Sequence, residues 1–486
     1  MYFIGVDLGT SSVKLLLLSE QGIEKTVTRE YPVSYPKEGW SEQDPADWLR
    51  ETLSALEELT ADCDRSQVRA LSFGGQMHGL VLLDSADQVI RPAILWNDGR
   101  TARETDWLNE CFGKEQLLDC TGNIAFAGFT APKVLWVREN EPESFRRISK
   151  VMLPKDYLAY MLTGVHCTDV SDASGTLFFD VKNRCWSAKM LELLGLRKEQ
   201  LPRVYESEQC VGFLKPELAD RLGFSHEVRV AAGAGDNAAA AIGNGIVHDG
   251  DCNISIGTSG TLFVASDRFG VDRQNAIHSF CHANGKYHYM ACMLSAAACS
   301  KWWLEGILQS DDYRGHEDAV KVLGENRVFF LPYLMGERSP LNDPDIRAAF
   351  YGMSLSTTRY DLNQAVLEGV AFAMRDNLET IRALGVDVKR SKVCGGGAKS
   401  RLWLEIIANV LNITLEVPEN QEGASMGGAL LAAKTVCSPA EYASLLKQVT
   451  RIKATIAPTP ALVSKYEERY AQFAKLYPAL KGLIRA

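Results

Sequence analysis

Residues 1–35 alternate between apolar runs and short polar breaks. Phe3-Ile4-Gly5-Val6-Asp7-Leu8 reads as a strand, Gly9-Thr10-Ser11-Ser12 as a tight turn, and 13–18 as a returning apolar strand. Breaks at Ser19-Glu20-Gln21-Gly22 and near Pro32 complete the pattern of a β-meander. Asp44-Pro45 then marks a helix start, Asp as N-cap and Pro at the first helical position. Strands are predicted over 68–73 and 80–83. Residues 101–220 read as mostly helical, with one strand-like stretch over 176–181. A strand over 228–232 feeds a helix at Asp236. The later chain predicts strands, a helix from Leu294, a long helix over 361–384, a strand running into Gly395-Gly396-Gly397 and a helix from Ser400. The tail, 461–477, places Leu462, Tyr466, Tyr470, Phe473 and Tyr477 on one helical face.

One pattern occurs twice. Asn253-Ile254-Ser255-Ile256-Gly257-Thr258-Ser259-Gly260 repeats the strand and Gly-Thr-Ser turn of the N-terminus, and 261–264 returns as a strand. Glycine lets such a turn take positive φ, and bared amides with hydroxyls cradle an anion. Two such hairpins predict a duplicated domain closing on a nucleotide. The boundary falls near 245–250, giving a first domain of 1–246 and a second of 247–486. The copies differ at one position: Asp7 in the first corresponds to Ser255 in the second, so only the first offers a carboxylate to a metal ion or its waters.

Bulk properties narrow the class. A chain of 486 residues favours at least two domains. The net charge of −9 argues against nucleic acid as a partner, although backbone amides bind phosphate without a basic surface. Asp7 breaks the N-terminal apolar stretch and no basic region precedes it, which argues against a signal peptide. The apolar runs are too short to span a bilayer. Twelve cysteines with no Cys-x-x-Cys pair read as small core residues of a cytoplasmic protein. The metal-like cluster His278-Ser-Phe-Cys281-His282 lacks a second ligand pair and alternates like a strand.

Several segments carry candidate chemistry. Gly233-Ala-Gly235-Asp236-Asn237-Ala238 joins a strand to a helix. Asp236 reads as a plain N-cap, as part of a relaxed dinucleotide fingerprint, or as a catalytic base whose ionised state the helix N-terminus favours. The dinucleotide reading wants an acid at the end of the next strand, where Gly257-Thr258 stands instead. Gly74-Gly75-Gln76-Met77-His78-Gly79 is either a simple hairpin turn or a polyol site pairing hydrogen bonds with an apolar wall. Trp96, in Trp96-Asn97-Asp98-Gly99-Arg100, either stacks on a sugar face or fills the core. No Walker motif exists, so a nucleotide would be bound through the paired hairpins and the glycine turn before Ser400.

Two long segments carry a family resemblance: Gly128-Phe-Thr130-Ala-Pro-Lys133-Val-Leu-Trp136-Val-Arg-Glu139-Asn140, and Ala348-Ala-Phe350-Tyr-Gly352-Met353 with Asp361-Leu-Asn-Gln-Ala365-Val-Leu-Glu368. With them, essentially the whole chain resembles the FGGY family of carbohydrate kinases. Trp40-Ser-Glu-Gln-Asp44-Pro, Gly75 to Gly79, Pro92 to Arg100, Leu153-Pro-Lys-Asp-Tyr157 and His278 to His282 look most like members acting on D-xylulose. The resemblance implies an α/β fold of duplicated actin-like, ribonuclease-H-type domains with the active site in the cleft between them. It implies ATP and Mg²⁺, phosphorylation of D-xylulose at O5, and Asp236 as proton acceptor. Met77, His78 and Asn237 then contact the sugar, with Gln76 and Trp96 beside them. Asp7 acts near Mg²⁺, in part through water, and the nucleotide lies on Gly9, Thr10, Ser11, Gly257, Thr258, Gly396, Gly397 and Ser400. A homodimer is expected by likeness and base rate. Met426 is bulkier than the small residues expected in Glu422-Gly-Ala-Ser-Met-Gly427. The open alternatives are another pentulose or pentitol (ribulose, arabinitol), a filament- or motor-type ATPase, and a non-catalytic sugar sensor.

Overall fold

The structure is a computed structural model that describes residues 1–274, 277–320 and 322–483. The chain forms two compact units. The first comprises 1–247, 279–288 and 422–450, and the second 248–278, 289–421 and 451–486.

The first unit is built on a sheet with strand order Gly22–Glu30, Ser12–Ser19, Tyr2–Leu8, Val68–Gly75, Arg229–Ala231, Cys210–Phe213. The N-terminal strands pair antiparallel, Leu8 opposite Val13 across the turn, and Tyr2–Leu8 runs parallel to Val68–Gly75. Ile4, Val6, Leu8, Val13, Leu15, Leu71 and Phe73 are buried in one core. Near-continuous apolar runs are what a sheet covered on both faces requires.

The second unit repeats the arrangement. Its strands follow the order Tyr287–Met293, Gly260–Ser266, Cys252–Ile256, Arg390–Cys394, Thr414–Pro418, Ile452–Ile456. Here too the hairpin is antiparallel, Ile256 opposite Gly260, and its first strand pairs parallel with the third element, Arg390–Cys394. The parallel partner beyond it and the antiparallel edge strand recur in both sheets. Duplication is therefore present in strand order and direction, not only in the two turns. The chain order of the last two strands differs.

Most elements follow their sequence signals. The Asp44-Pro45 signal opens the helix Pro45–Leu59, and Asp44 accepts from the amide of Ala46. The predicted long helix is Arg359–Ala383, closed at its start by a reciprocal Thr358–Asp361 cap. Three differences have physical causes. The stretch 101–220 holds short strands besides its helices, among them Lys150–Met152, Cys167–Asp169, Arg203–Tyr205 and the sheet edge Cys210–Phe213. Strands of three or four residues are too short to show alternation. The helix expected from Leu294 begins at Ala297, because the amides of Ala296 and Ala297 are spent on the carbonyls of Thr258 and Gly257. The tail helix ends at Phe473, and Tyr477 lies in a separate short helix, Leu476–Leu480.

The helix Gly423–Lys434, late in the chain, belongs to the first unit and lies against its N-terminal strand, Tyr2–Leu8. A Cβ added to Gly5 would lie 1.8 Å from the Ser425 carbonyl oxygen, and one added to Gly427 would lie 1.8 Å from that of Ala239. Small residues here are a packing requirement. Met426, 1% exposed, points into the same unit's core.

Candidate active site

In the first unit, Asp236 is the first residue of the helix Asp236–Gly243, and Gly235 rather than Asp236 is its N-cap. Both glycines that precede it are needed. Gly233 has φ +79°, and a Cβ there would meet the Phe73 carbonyl oxygen at 2.7 Å. A Cβ on Gly235 would meet the Met77 sulfur at 2.9 Å. Met77 thus packs against the peptide that carries Asp236. The Asp236 carboxylate accepts from the Asn237 amide at 2.7 Å and from its side-chain nitrogen at 2.9 Å. Burial nonetheless outweighs these donors and pushes Asp236 up to about 6. Burial thus opposes the ionisation that the helix start favours.

Asp7 lies on the Tyr2–Leu8 strand of the same unit. Burial and then the nearby charge of Asp236 push its carboxyl up to about 7, against the opposing pull of Lys14. Lys14 itself pairs with Glu422. The charge of Asp236 thus bears on the buried Asp7 carboxyl, and Lys14 only partly offsets it.

The turn between the strands assembles the remaining candidates of this unit. Gln76 is 2% exposed. Its amide donates to the Gly9 carbonyl and to Gln43 Oε1, both at 3.2 Å, and its Oε1 accepts from Thr10 at 3.3 Å. It therefore braces the first hairpin. Thr10 Oγ1 accepts from the Trp96 indole at 2.9 Å. Trp96 is 46% exposed, so its ring is not core filling. Ser11 is exposed at the hairpin tip. His78 has φ +69°, rare for a residue with a side chain. Its Nδ1 lies 2.7 Å from the Gly175 carbonyl oxygen, which only accepts, so Nδ1 carries the proton. The ring stacks on Phe129 at 4.6 Å.

Two supports of this site went unread in the sequence. Lys133 and Thr130, known there only as letters of a family pattern, both donate to the His78 carbonyl, at 2.9 and 3.1 Å. Behind the turn, the buried Lys155 ammonium contacts Asp156 at 2.7 Å, Asp169 at 2.9 Å and Asp172 at 3.5 Å. Burial alone would lower Lys155, but the three carboxylates hold it well above its ordinary value. Asp169 also accepts from Ser171 Oγ at 2.5 Å, and Ser171 Oγ in turn accepts from the Gly235 amide at 3.1 Å. The network thus reaches the residue before Asp236.

The second unit contains its own cavity, about 1320 Å³, lined in part by Thr258, Trp302, Tyr313, Glu317, Gly396, Gly397 and Ser400. Four of these seven are nucleotide candidates read from the sequence, and Gly257 adjoins Thr258 in the hairpin turn. A Cβ on Gly397 would meet Ile256 Cγ2 at 2.3 Å, whereas one on Gly396 would meet nothing within 4 Å. Gly397 serves packing; Gly396 leaves open space. Ser400 caps the helix Arg401–Leu411 by accepting from the Trp403 amide. His282 lies elsewhere: its Nε2 is 2.8 Å from the Ile246 carbonyl oxygen, and its Nδ1 accepts from the Ala283 amide. Among the described residues, no group of three or more His, Cys, Asp or Glu side chains could hold a metal.

The FGGY carbohydrate kinase N-terminal domain matches residues 2–243, and the C-terminal domain of that family matches 252–436. The chain belongs to the FGGY family of carbohydrate kinases. Membership makes it an ATP-dependent sugar kinase. A xylulose kinase of Escherichia coli strain K12 is 40% identical over 99% of this chain and 100% of its own. One of Bacillus subtilis strain 168 is 36% identical over 100% of this chain and 98% of its own. The solved structure of a kinase from Brucella ovis, described as a xyloylose kinase, superposes with a TM-score of 0.94 at 42% identity, covering 99% of this FGGY kinase and 100% of that chain. The doubled sheet is accordingly the actin-like fold. No helix among the described residues is long and apolar enough to cross a membrane.

Proposed function

We propose that this kinase transfers the γ-phosphoryl group of ATP to O5 of D-xylulose, with Asp236 accepting the hydroxyl proton. The observation that carries the reading is the placement of Asp236: a carboxylate at a helix start, preceded by two glycines and walled by Met77. The names of relatives alike over their whole length support the sugar. Phosphoryl transfer passes through a loose transition state that asks little activation of the nucleophile. Asp236 therefore takes the proton late, and a carboxyl poised near 6 is ionised at neutral pH yet basic enough to accept it. Met77 supplies the apolar wall. His78 and Asn237 supply polar contacts, and Trp96 presents its exposed indole face beside them. Gln76 acts one step back, holding the Gly9-Thr10-Ser11 turn whose backbone amides would converge on phosphate. In the second unit, the cavity bordered by Thr258, Gly396 and Ser400 takes the nucleotide.

Mg²⁺ fits at Asp7, whose buried carboxyl lies near the charge of Asp236. Two carboxylates without a third are too few for a closed cage and suit an ion that keeps water and phosphate oxygens in its shell. Asp7 would hold it, in part through water. When bound, Mg²⁺ neutralises phosphate charge.

The test is ADP release with Mg-ATP against D-xylulose, D-ribulose, L-ribulose, xylitol, D-arabinitol and glycerol. Turnover concentrated on D-xylulose is the expected result. A different preferred acceptor would retire the sugar and keep the chemistry; ATP consumption independent of any sugar would retire both.

A further inference from the structure

Lys133 is a buried lysine held by backbone rather than by a salt bridge. Its side chain is wholly covered, and the buried Asp98 acts on it only as a nearby charge. Its ammonium nitrogen contacts two backbone carbonyl oxygens instead: His78 at 2.9 Å and Gly128 at 2.5 Å. A methionine or leucine would be cheaper to bury, so the amine is there for those two oxygens. Burial pushes it down to about 7. In the neutral form an amine has two N–H donors, which matches two carbonyls.

One carbonyl belongs to a segment that carries sugar candidates, and the other touches a second such segment. His78 closes the Gln76-Met77-His78 turn. Gly128 abuts the other segment, since a Cβ on it would lie 2.7 Å from the Trp96 carbonyl oxygen. Thr130, also fully buried, adds its hydroxyl to the His78 carbonyl at 3.1 Å. The His78 backbone is in the left-handed region at φ +69°. Residues held there persist only where their surroundings over-determine them, and such strain gathers at functional sites. The carbonyl is fixed by Lys133 and Thr130, and the ring by Gly175 and Phe129.

We propose that Lys133 is a positioning residue for the acceptor sugar: with Thr130 it pins the His78 carbonyl and so fixes the left-handed backbone that sets the imidazole in the sugar site. This rests on the reading of His78 as a sugar contact. It assigns Lys133 no contact with sugar or nucleotide.

The experiment uses the full chain with Lys133→Met, Thr130→Val, Thr130→Ser and His78→Ala, measuring KM for D-xylulose, KM for ATP and the thermal midpoint of each. Lys133→Met removes a costly buried amine, so a purely structural lysine would leave the sugar KM alone. The expected result is a sugar KM raised about tenfold in Lys133→Met, with the KM for ATP within twofold of wild type and the midpoint held or raised. Thr130→Val is expected to raise the sugar KM severalfold, and Thr130→Ser, which keeps the donor, to restore it. Wild-type sugar KM in both Lys133→Met and Thr130→Val, with His78→Ala impaired, would overturn the clamp alone. An unimpaired His78→Ala would overturn the sugar-site reading and the clamp with it. Should Lys133→Met fail to fold, the Thr130 pair decides: equal sugar KM in Val and Ser overturns the proposal.

Discussion

The reactive residues of this kinase are held in an electrostatically unfavourable state. Asp7 is pushed to about 7, first by burial and then by Asp236. A carboxyl raised this way costs stability once ionised: the unfolded chain releases its proton near its ordinary value, the folded one only near 7. Its stability contribution is therefore full at low pH and is lost as pH rises toward 7. Asp7→Asn removes that loss. We expect the ligand-free Asp7→Asn variant to melt above wild type at pH 8, with the gap closing at pH 5, while sugar phosphorylation falls. Equal midpoints at both pH values would show that Asp7 is not under this strain. For Asp236→Asn, which keeps shape and removes the proton acceptor, kcat should fall about 100- to 10,000-fold, with ATP affinity measured by calorimetry unchanged. Retained turnover would remove Asp236 from proton transfer.

At the level of elements, close approach rather than apolar area positions the site. The helix Gly423–Lys434 reaches the strand Tyr2–Leu8 and the helix Asp236–Gly243 because Gly5, Gly427 and Gly243 leave no side chain between backbones. Through these contacts a single helix backs both Asp7 and Asp236. Gly427→Ala would drive a methyl to 1.8 Å from the Ala239 carbonyl oxygen. Overpacking of this kind costs about 1–3 kcal/mol. The variant should melt several degrees below wild type and lose kcat through displacement of the Asp236 helix. Gly396→Ala, at a position with open space around it, serves as the stability control. If Gly427→Ala melts like Gly396→Ala, the close packing does not constrain the site.

For the whole molecule, the notable fact is how the first unit is assembled. It draws on 1–247, but also on 279–288 and 422–450. Its sheet is complete within the first segment; the helix that covers Gly5 and Gly74 is not. The isolated 1–247 fragment should therefore lack a cooperative thermal transition by circular dichroism, and adding a 422–450 peptide should raise its helicity beyond the sum of the parts. A fragment that melts cooperatively alone would show that the late helix is dispensable.

The sequence by itself determined the duplication, the two hairpin turns, Asp7 as the single hairpin carboxylate, and Asp236 behind its two glycines. These are local: alternation, turn glycines and helix starts are set by neighbours within a few residues. The family patterns extended that reading to the chemistry. Tertiary structure alone decided that Gln76 faces the hairpin and not solvent, that burial raises Asp236 to about 6, and that Lys133 and Thr130 hold His78. It also decided that a helix from the last quarter of the chain completes the first unit. Burial, pKa and carbonyl capture depend on which distant segments meet, and neither periodicity nor turn chemistry records that.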